Sequence, residues 1–424
     1  MNIDRTIAPK IRSISSIKLP VFRQIALGNG IPMYILEGGT DTILKMELVF
    51  KAGRTYEKSR LVSKVCNHLL KEGTINHSSE EIAEKIDFYG STISCSTDMD
   101  TSSVTLYCLK KHFKRSLDIV LEILNDATFS EEEINKYGIR SSQRLKQELS
   151  KNNVVAYRKL SAEIFGEDHP YGYNSMPDDY LNIDVDGVRE HYSDLYTNQN
   201  CRIYLSGATD EEIVKMIDAA MDSFKKQGKS QKSYKNASSS SPKNIEIPGH
   251  RLQNSIKMGK KLFNRHHEDY YPFMMLNTVL GGYFGSRLMS EIRENKGYTY
   301  SIYSMLDPLI RDGSFYVSTE VGKEYYIDTI EAIKIEFNKL KETTISDREL
   351  EMSKNYLLGN FLSMLDGPLK SSKILAALVE NDLDFDHLYA MIEVIKDIST
   401  SEIRDLAVKY LDFDSMISVS VGDF

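Results

Sequence analysis

The 424-residue chain has no tryptophan, only four cysteines and ten prolines, and no excess of basic residues. Cys66, Cys95, Cys108 and Cys201 form no CxxC or other metal spacing, and Cys66 and Cys108 sit in apolar patterns. Buried thiols in a reducing compartment are therefore expected, rather than a disulfide framework or a cysteine metal site. Acidic residues outnumber basic ones 61 to 53, a net charge of -8. Proteins that wrap nucleic acid carry a basic excess or stripe, which leaves nucleic acid out as the main partner. No run of about 18 apolar residues is present, so no membrane span is expected. The N-terminus MNIDRTIAPKIRSISSIKLP lacks the apolar stretch of a secretory signal. A cytoplasmic location is expected, with a signal already trimmed away as the alternative. The missing tryptophan, set against 25 tyrosines, excludes no class. What is present, 41% hydrophobic and 27% charged residues with 24 glycines, is the profile of an ordinary folded protein. The length suits two to three domains with sizeable cores.

One polar stretch divides the chain. KKQGKSQKSYKNASSSSPKN, 225–244, is rich in Ser and Lys and reads as a connector between 1–224 and 245–424. The two parts repeat one plan. Gly73 closes an apolar helical pattern and Gly281 closes another, 208 residues later. Gly90 precedes the strand pattern STISCS, and Gly297, 207 on, precedes YTYSIY. The capping pattern Ser130-x-x-Glu133 recurs 216 on as Ser346-x-x-Glu349, and CRIYLSG, ending at Gly207, recurs 215 on as MISVSVG, ending at Gly422.

Strands are expected around 33–36, 45–51, 92–97, 103–109 and 201–206, then around 253–258, 298–305, 313–321 and 416–421. VTLYCL and FYVSTEV alternate apolar and polar residues, as half-buried antiparallel strands do. Helices are expected at 61–71, 79–88, 114–125, 131–149, 154–165, 186–196 and 210–224, with equivalents in the second copy. Ser78/Glu81, Ser130/Glu133, Thr209/Glu212 and Ser399/Glu402 are capping-box pairs. The fold class is α+β: two tandem homologous domains, each a mostly antiparallel sheet with helices packed on one face. The glycine-rich segment 281–286 lacks the Gly-Lys-Ser/Thr ending of a phosphate loop and reads as a turn before a helix. His266-His267-Glu268-Asp269 reads as a surface loop rather than a metal site.

The most informative stretch is LVSKVCNHLLKEGT, 61–74. Leu61, Val62, Val65, Cys66, Leu69 and Leu70 make one apolar helical face; Lys64, His68 and Lys71 make the opposite stripe, with Asn67 beside it. Periodicity alone makes that stripe a solvated face. The stretch also resembles the zinc helix of the pitrilysin/insulinase family, which includes the mitochondrial processing peptidase and carries an inverted H-x-x-E-H motif. The resemblance continues through His169-Pro170-Tyr171-Gly172 and through LGGYFGSRLMSEIRENKGYTYSIYS, 280–304. It covers nearly the whole chain, and the tandem domains of that family match the internal repeat.

The resemblance implies two zinc-binding histidines four apart, a glutamate general base between them and a downstream glutamate as third ligand. Here the five positions read Lys64-Val65-Cys66-Asn67-His68. An ammonium has no lone pair for zinc, and Asn67 cannot take a proton at neutral pH. Read back without a gap from Val154-Val155, the third position falls on Gln143; a gap would move it to Glu148. The zinc site is thus expected to be degenerate at Lys64, Asn67, His68 and Gln143, with no metal or cofactor in this chain. The family also has an Arg and a Tyr, seven apart, that hold the substrate carbonyl and the oxyanion formed from it. Arg293 and Tyr300 match in type and spacing, with Gly297 breaking the helix and Tyr300 opening a strand.

The resemblance therefore implies a pseudoenzyme subunit. It would lack activity alone, pair with a homologous chain bearing an intact H-x-x-E-H and zinc, and supply Arg293 and Tyr300 for peptide substrates. The alternative is a non-enzymatic scaffold or peptide-binding member of the same family.

Overall fold

The computed structural model describes residues 14, 17–39, 42–224, 228, 241–249 and 252–424. Of the expected connector 225–244, all but Gly228 and 241–244 lies outside the described residues.

Two sheets carry the architecture. The first is built from β1 (Arg23–Ala26), β2 (Pro32–Glu37), β3 (Ile43–Phe50), β4 (Thr92–Thr97), β5 (Ser102–Leu109) and β6 (Cys201–Gly207), in the order β1-β2-β6-β3-β5-β4. The second is built from β7 (Lys243–Pro248), β8 (Gln253–Leu262), β9 (Ile302–Pro308), β10 (Gly313–Gly322) and β11 (Ile417–Gly422), in the order β7-β11-β8-β10-β9. Apart from β1 the orders superimpose strand for strand. In each sheet one pair is parallel, β2 with β6 and β7 with β11, and the rest are antiparallel. Gly207 and Gly422 end equivalent strands, and Gly90 and Gly297 both take left-handed φ, +58° and +68°, just before the edge strands. The internal repeat is thus one sheet topology used twice.

The helices follow in matching order: α1 (Val62–Leu69), α2 (Ser79–Phe88), α3 (Phe113–Asp126), α4 (Glu131–Glu148), α5 (Asn152–Phe165), α6 (Val185–Leu195) and α7 (Glu211–Met221), then α8 (Tyr270–Asn277), α9 (Tyr326–Glu342), α10 (Asp347–Met364), α11 (Pro368–Glu380), α12 (Phe385–Asp397) and α13 (Thr400–Tyr410). In α3, Phe113, Leu117, Val120 and Leu124 lie along one stripe and are buried against the first sheet. On β5, Val104, Leu106 and Cys108 point into that same core. All four cysteines are free thiols; burial pushes Cys108 up to about 11 and Cys95 up to about 12.

Helices on one face of each sheet were expected, and each half does cover one face of its own sheet. The opposite face is covered from the other half. Helix α5, from the first half, lays Ala156, Leu160 and Ile164 on Ile417, Val419 and Val421 of β11. Helix α11, from the second half, lays Leu375 on Tyr34, Leu36, Val49 and Tyr204. Polar ties accompany the apolar contacts. Asn152 Nδ2 donates to the Gln253 carbonyl at 2.8 Å. Glu380 accepts from Arg202 Nη1 at 2.9 Å and from Tyr204 OH at 2.7 Å.

Several local expectations change. Strands β1 and β7 were not foreseen: β1 is four residues long, and β7 grows out of the end of the polar stretch with alternate residues exposed. Helix α7 is capped by Asp210, whose carboxylate accepts from Ile213 N at 2.9 Å, and not by Thr209. The Ser78 and Ser399 boxes are complete, whereas Ser346 caps α10 while Glu349 turns to Arg287 at 2.7 Å.

Removing Glu380 strips a partly buried guanidinium of its partner, so Glu380→Ala is expected to cost about 3 kcal/mol in urea unfolding; a loss under about 1 kcal/mol would mean that α11 is held by apolar packing alone. His191 on α6 is buried with Nε2 3.0 Å from the Ala52 carbonyl, and burial pushes its pKa down to about 4 from 6.5. A depressed histidine adds stability that is complete above the unfolded pKa and is lost as the pH falls from 6.5 toward 4. The urea midpoint is expected to drop across that window, and His191→Gln to flatten the drop.

Candidate functional site

Helix α1 begins at an unusual place. Leu61, its N-cap, has φ +72°, a left-handed conformation costly for a branched side chain. The cap is supplied from four residues upstream. Glu57 accepts from Leu61 N at 3.3 Å, from Ser63 N at 3.1 Å and from Ser63 Oγ at 2.6 Å. Tyr173 OH closes the set, and burial raises the Glu57 pKa despite these donors. Tyr173 arrives on the His169–Gly172 turn, where a Cβ on Gly172 would stand 2.1 Å from the Gly166 carbonyl oxygen. Tyr171 of the same turn donates to Asp100 at 2.8 Å. The HPYG segment thus orients α1 and anchors a loop. Glu57 was missed in the sequence; the Glu-to-Ser63 spacing is its one local signal.

Lys64 and His68 lie on the exposed side of α1, as the helical wheel implies; Asn67 does not. It is 1% exposed. Its Nδ2 donates to the carbonyls of Ser96 (2.6 Å) and Ser103 (3.3 Å), and its Oδ1 accepts from Tyr196 OH at 3.0 Å. The amide ties α1 to β4, β5 and the end of α6. Lys64 Nζ donates to Tyr180 OH at 3.2 Å. His68 packs on the Tyr137 ring at 4.8 Å; desolvation lowers its pKa, helped by Lys71 and Lys64 and opposed by Glu72.

Across from α1 runs α4. Together they border an open hollow of about 600 Å³ lined by Lys64, His68, Tyr137, Arg144 and Glu148 among others. Gln143 is exposed on α4 and does not line it; its neighbour Arg144 does. The charged side chains that line the hollow with His68 are Lys64, Lys136, Arg140 and Arg144 against Glu72, Glu133 and Glu148, of which Glu133 pairs with Lys136 and Glu148 with Lys151, each at 2.8 Å. This set does not fit zinc: four of its members are cations, Lys64 among them at the position of the first ligand, and both ends of the Asn67 amide are committed inside the fold. Among the described residues, no three His, Cys, Asp or Glu side chains are grouped to hold a metal ion.

Arg293 and Tyr300 lie elsewhere; neither lines this hollow. Arg293 sits in a π turn, Met289–Asn295, with its guanidinium 4.6 Å from the centre of the Phe284 ring. Gly297 ends that turn, as expected. Tyr300 does not open a strand, since β9 begins at Ile302. The Thr299 hydroxyl instead lies against the carbonyls of Glu320 (2.7 Å) and Ser301 (3.0 Å), where a ladder bond would otherwise run. Tyr300 is left 87% exposed.

One sheet plan used twice, with helices of each half on both sheets, defines a tandem α+β class. Comparison with known proteins gives its family. The family profile described as Insulinase (Peptidase family M16) matches residues 35–170, and that described as Peptidase M16 inactive domain matches 182–357. The chain belongs to the insulinase (M16) peptidase family. It is similar to the uncharacterized zinc protease YmxG of Bacillus subtilis, 24% identical over 80% of this chain and 83% of that protein. It is also similar to the non-peptidase homolog YmxG of Helicobacter pylori, 21% identical over 89% and 88%. Among solved structures, the peptidase M16 inactive domain from Pseudomonas fluorescens superimposes with a TM-score of 0.87 at 20% identity, covering 95% of this chain and 98% of that one. No helix among the described residues is long and apolar enough to cross a membrane.

Asn67→Ala would leave two buried carbonyls and a hydroxyl without their partner, and is expected to lower stability by about 2–3 kcal/mol in chemical unfolding. A change within about 0.5 kcal/mol would show that the amide is not a structural tie.

Proposed function

We propose that this chain is the non-zinc subunit of a heterodimeric insulinase-family peptidase acting on peptides. Its partner would be a homologous chain with an intact H-x-x-E-H helix, and zinc would belong to that partner. The observation that carries this reading is the contrast between the two sites. In α1 the base position is an amide consumed by the fold and the first ligand position is an ammonium. In the second half, Arg293 and Tyr300 stay at the surface, Tyr300 almost bare, where a second chain could use them. A guanidinium and a phenol are donors suited to a carbonyl oxygen and to the oxyanion that develops from it. Extended substrate could add as a strand to a free sheet edge, β4 or β9.

A second reading, a scaffold or peptide-binding protein without catalysis, is supported by the name non-peptidase homolog carried by the Helicobacter relative. One experiment separates them. Purified from its own cells at native abundance, the protein is expected to bring a stoichiometric partner containing H-x-x-E-H, and Arg293→Ala to cut turnover of an unfolded peptide by that complex about a hundredfold. Recovery alone, or as a homodimer with no such partner, would overturn the subunit reading in favour of the second.

A further inference from the structure

The hollow between α1 and α4 holds more positive charge than its own acids neutralise. Lys64 enters from α1, and Lys136, Arg140 and Arg144 stand one turn apart along one face of α4. Lys136 is paired with Glu132 and Glu133 at 2.7 and 2.8 Å. Two acids of the hollow are in ion pairs, Glu133 with Lys136 and Glu148 with Lys151; the third, Glu72, accepts from Ser79 Oγ at 2.6 Å and keeps its charge, one carboxylate against three cations. Among the described residues, Lys64, Arg140 and Arg144 make no ion pair, although Arg144 lies close enough to Glu148 to help lower its pKa. Like charges four apart on a helix repel. Here that repulsion is tolerated in a chain whose net charge is -8.

Neutral donors complete the set. Tyr180 OH accepts a hydrogen bond from the Lys64 ammonium at 3.2 Å, which leaves its own O–H to donate. Burial pushes the Tyr137 phenol up to about 12, so it too remains a donor. Leu69 and Leu145 add an apolar wall. A volume of about 600 Å³ lies in the range that holds a small ligand.

We infer that this hollow binds the carboxylate end of a peptide, with Lys64, Arg140 and Arg144 as the anion clamp. A guanidinium meets a carboxylate with two parallel N–H···O bonds, and the phenols supply further donors. The apolar wall beside the cations suits the last side chain of a peptide rather than a bare inorganic anion. The inference rests on the peptide-handling part of the reading above and not on a partner subunit. It also gives Lys64, the cation at the first ligand position of the resembled motif, a use of its own.

The test is calorimetric titration of the full-length chain with an N-acetylated pentapeptide of alanine and leucine. The peptide is used as the free C-terminal acid and as the amide, with inorganic phosphate as the third probe. The acid is expected to bind about tenfold more tightly than the amide. That preference is expected to shrink at high salt and to vanish in the R140Q/R144Q double variant. Both arginines are exposed, so the variant is expected to keep its melting temperature; if it does not, Lys64→Gln reads the same preference. Equal binding of acid and amide would overturn the anion clamp while leaving peptide binding in place. No binding of either at millimolar concentration, phosphate matching the acid, or a preference that survives the substitutions would each overturn it as well. None of these outcomes bears on whether a zinc-bearing partner co-purifies.

Discussion

The molecule depends on a reciprocal exchange of helices. A sheet with one face packed by its own half leaves the other face to be covered, and here each half lends the other the cover. Helix α5 closes the second sheet and α11 closes the first, at equivalent places in the repeat. The apolar part of the exchange is non-directional, so it supplies affinity without register. Register comes from the polar ties at its margins: Asn152 to the Gln253 carbonyl on one side, Glu380 to Arg202 and Tyr204 on the other. Burial of Glu380 with two donors makes this one of the places where a lost partner is most costly.

The same exchange sets the hollow. Helices α4 and α5 are separated only by Leu149–Lys151. Docking of α5 on the second sheet therefore fixes one end of α4, while the packing of α4 along α1 fixes its face. The opposing helix is held at its start by Glu57 and along its length by Asn67. Both walls are thereby anchored by groups that a catalytic reading of the motif does not include. Asn67, where the resembled motif has its base, serves here as a bracket, and the hollow is lined by His68, four cations and three carboxylates.

Much of this was legible in the sequence. The duplication could be read from Gly90 and Gly297, because only a glycine adopts their left-handed φ at no cost. It could be read again from Ser130 and Ser346, which start two helices of the same length. Other features were not legible. Helical periodicity marks which side of α1 is apolar, but it cannot tell that a polar residue at the boundary, Asn67, will be drawn inside by two strand carbonyls and a tyrosine hydroxyl. The difference between Gln143 and Arg144 is one step of about 100° on a helix, beyond what an ungapped spacing decides. Tyr300 was placed at the start of a strand that begins two residues later, at Ile302, because the side chain of Thr299, not its backbone, makes the cross-connection to Glu320 of β10. The helix exchange was invisible because nothing in an amphipathic helix names the sheet it will cover.

The exchange also orders events during synthesis. The first sheet can form its ladder once Gly207 is made and its own-side core once Phe224 is made, but its second face waits for α11, which ends at Glu380. For that interval Tyr34, Leu36, Val49 and Tyr204, all buried in the finished protein, have no cover. Contacts separated by so much chain close late, and an uncovered apolar sheet face is what nascent chains lose to aggregation. The first half by itself leaves this apolar face bare, so each half is a finished domain only in the company of the other.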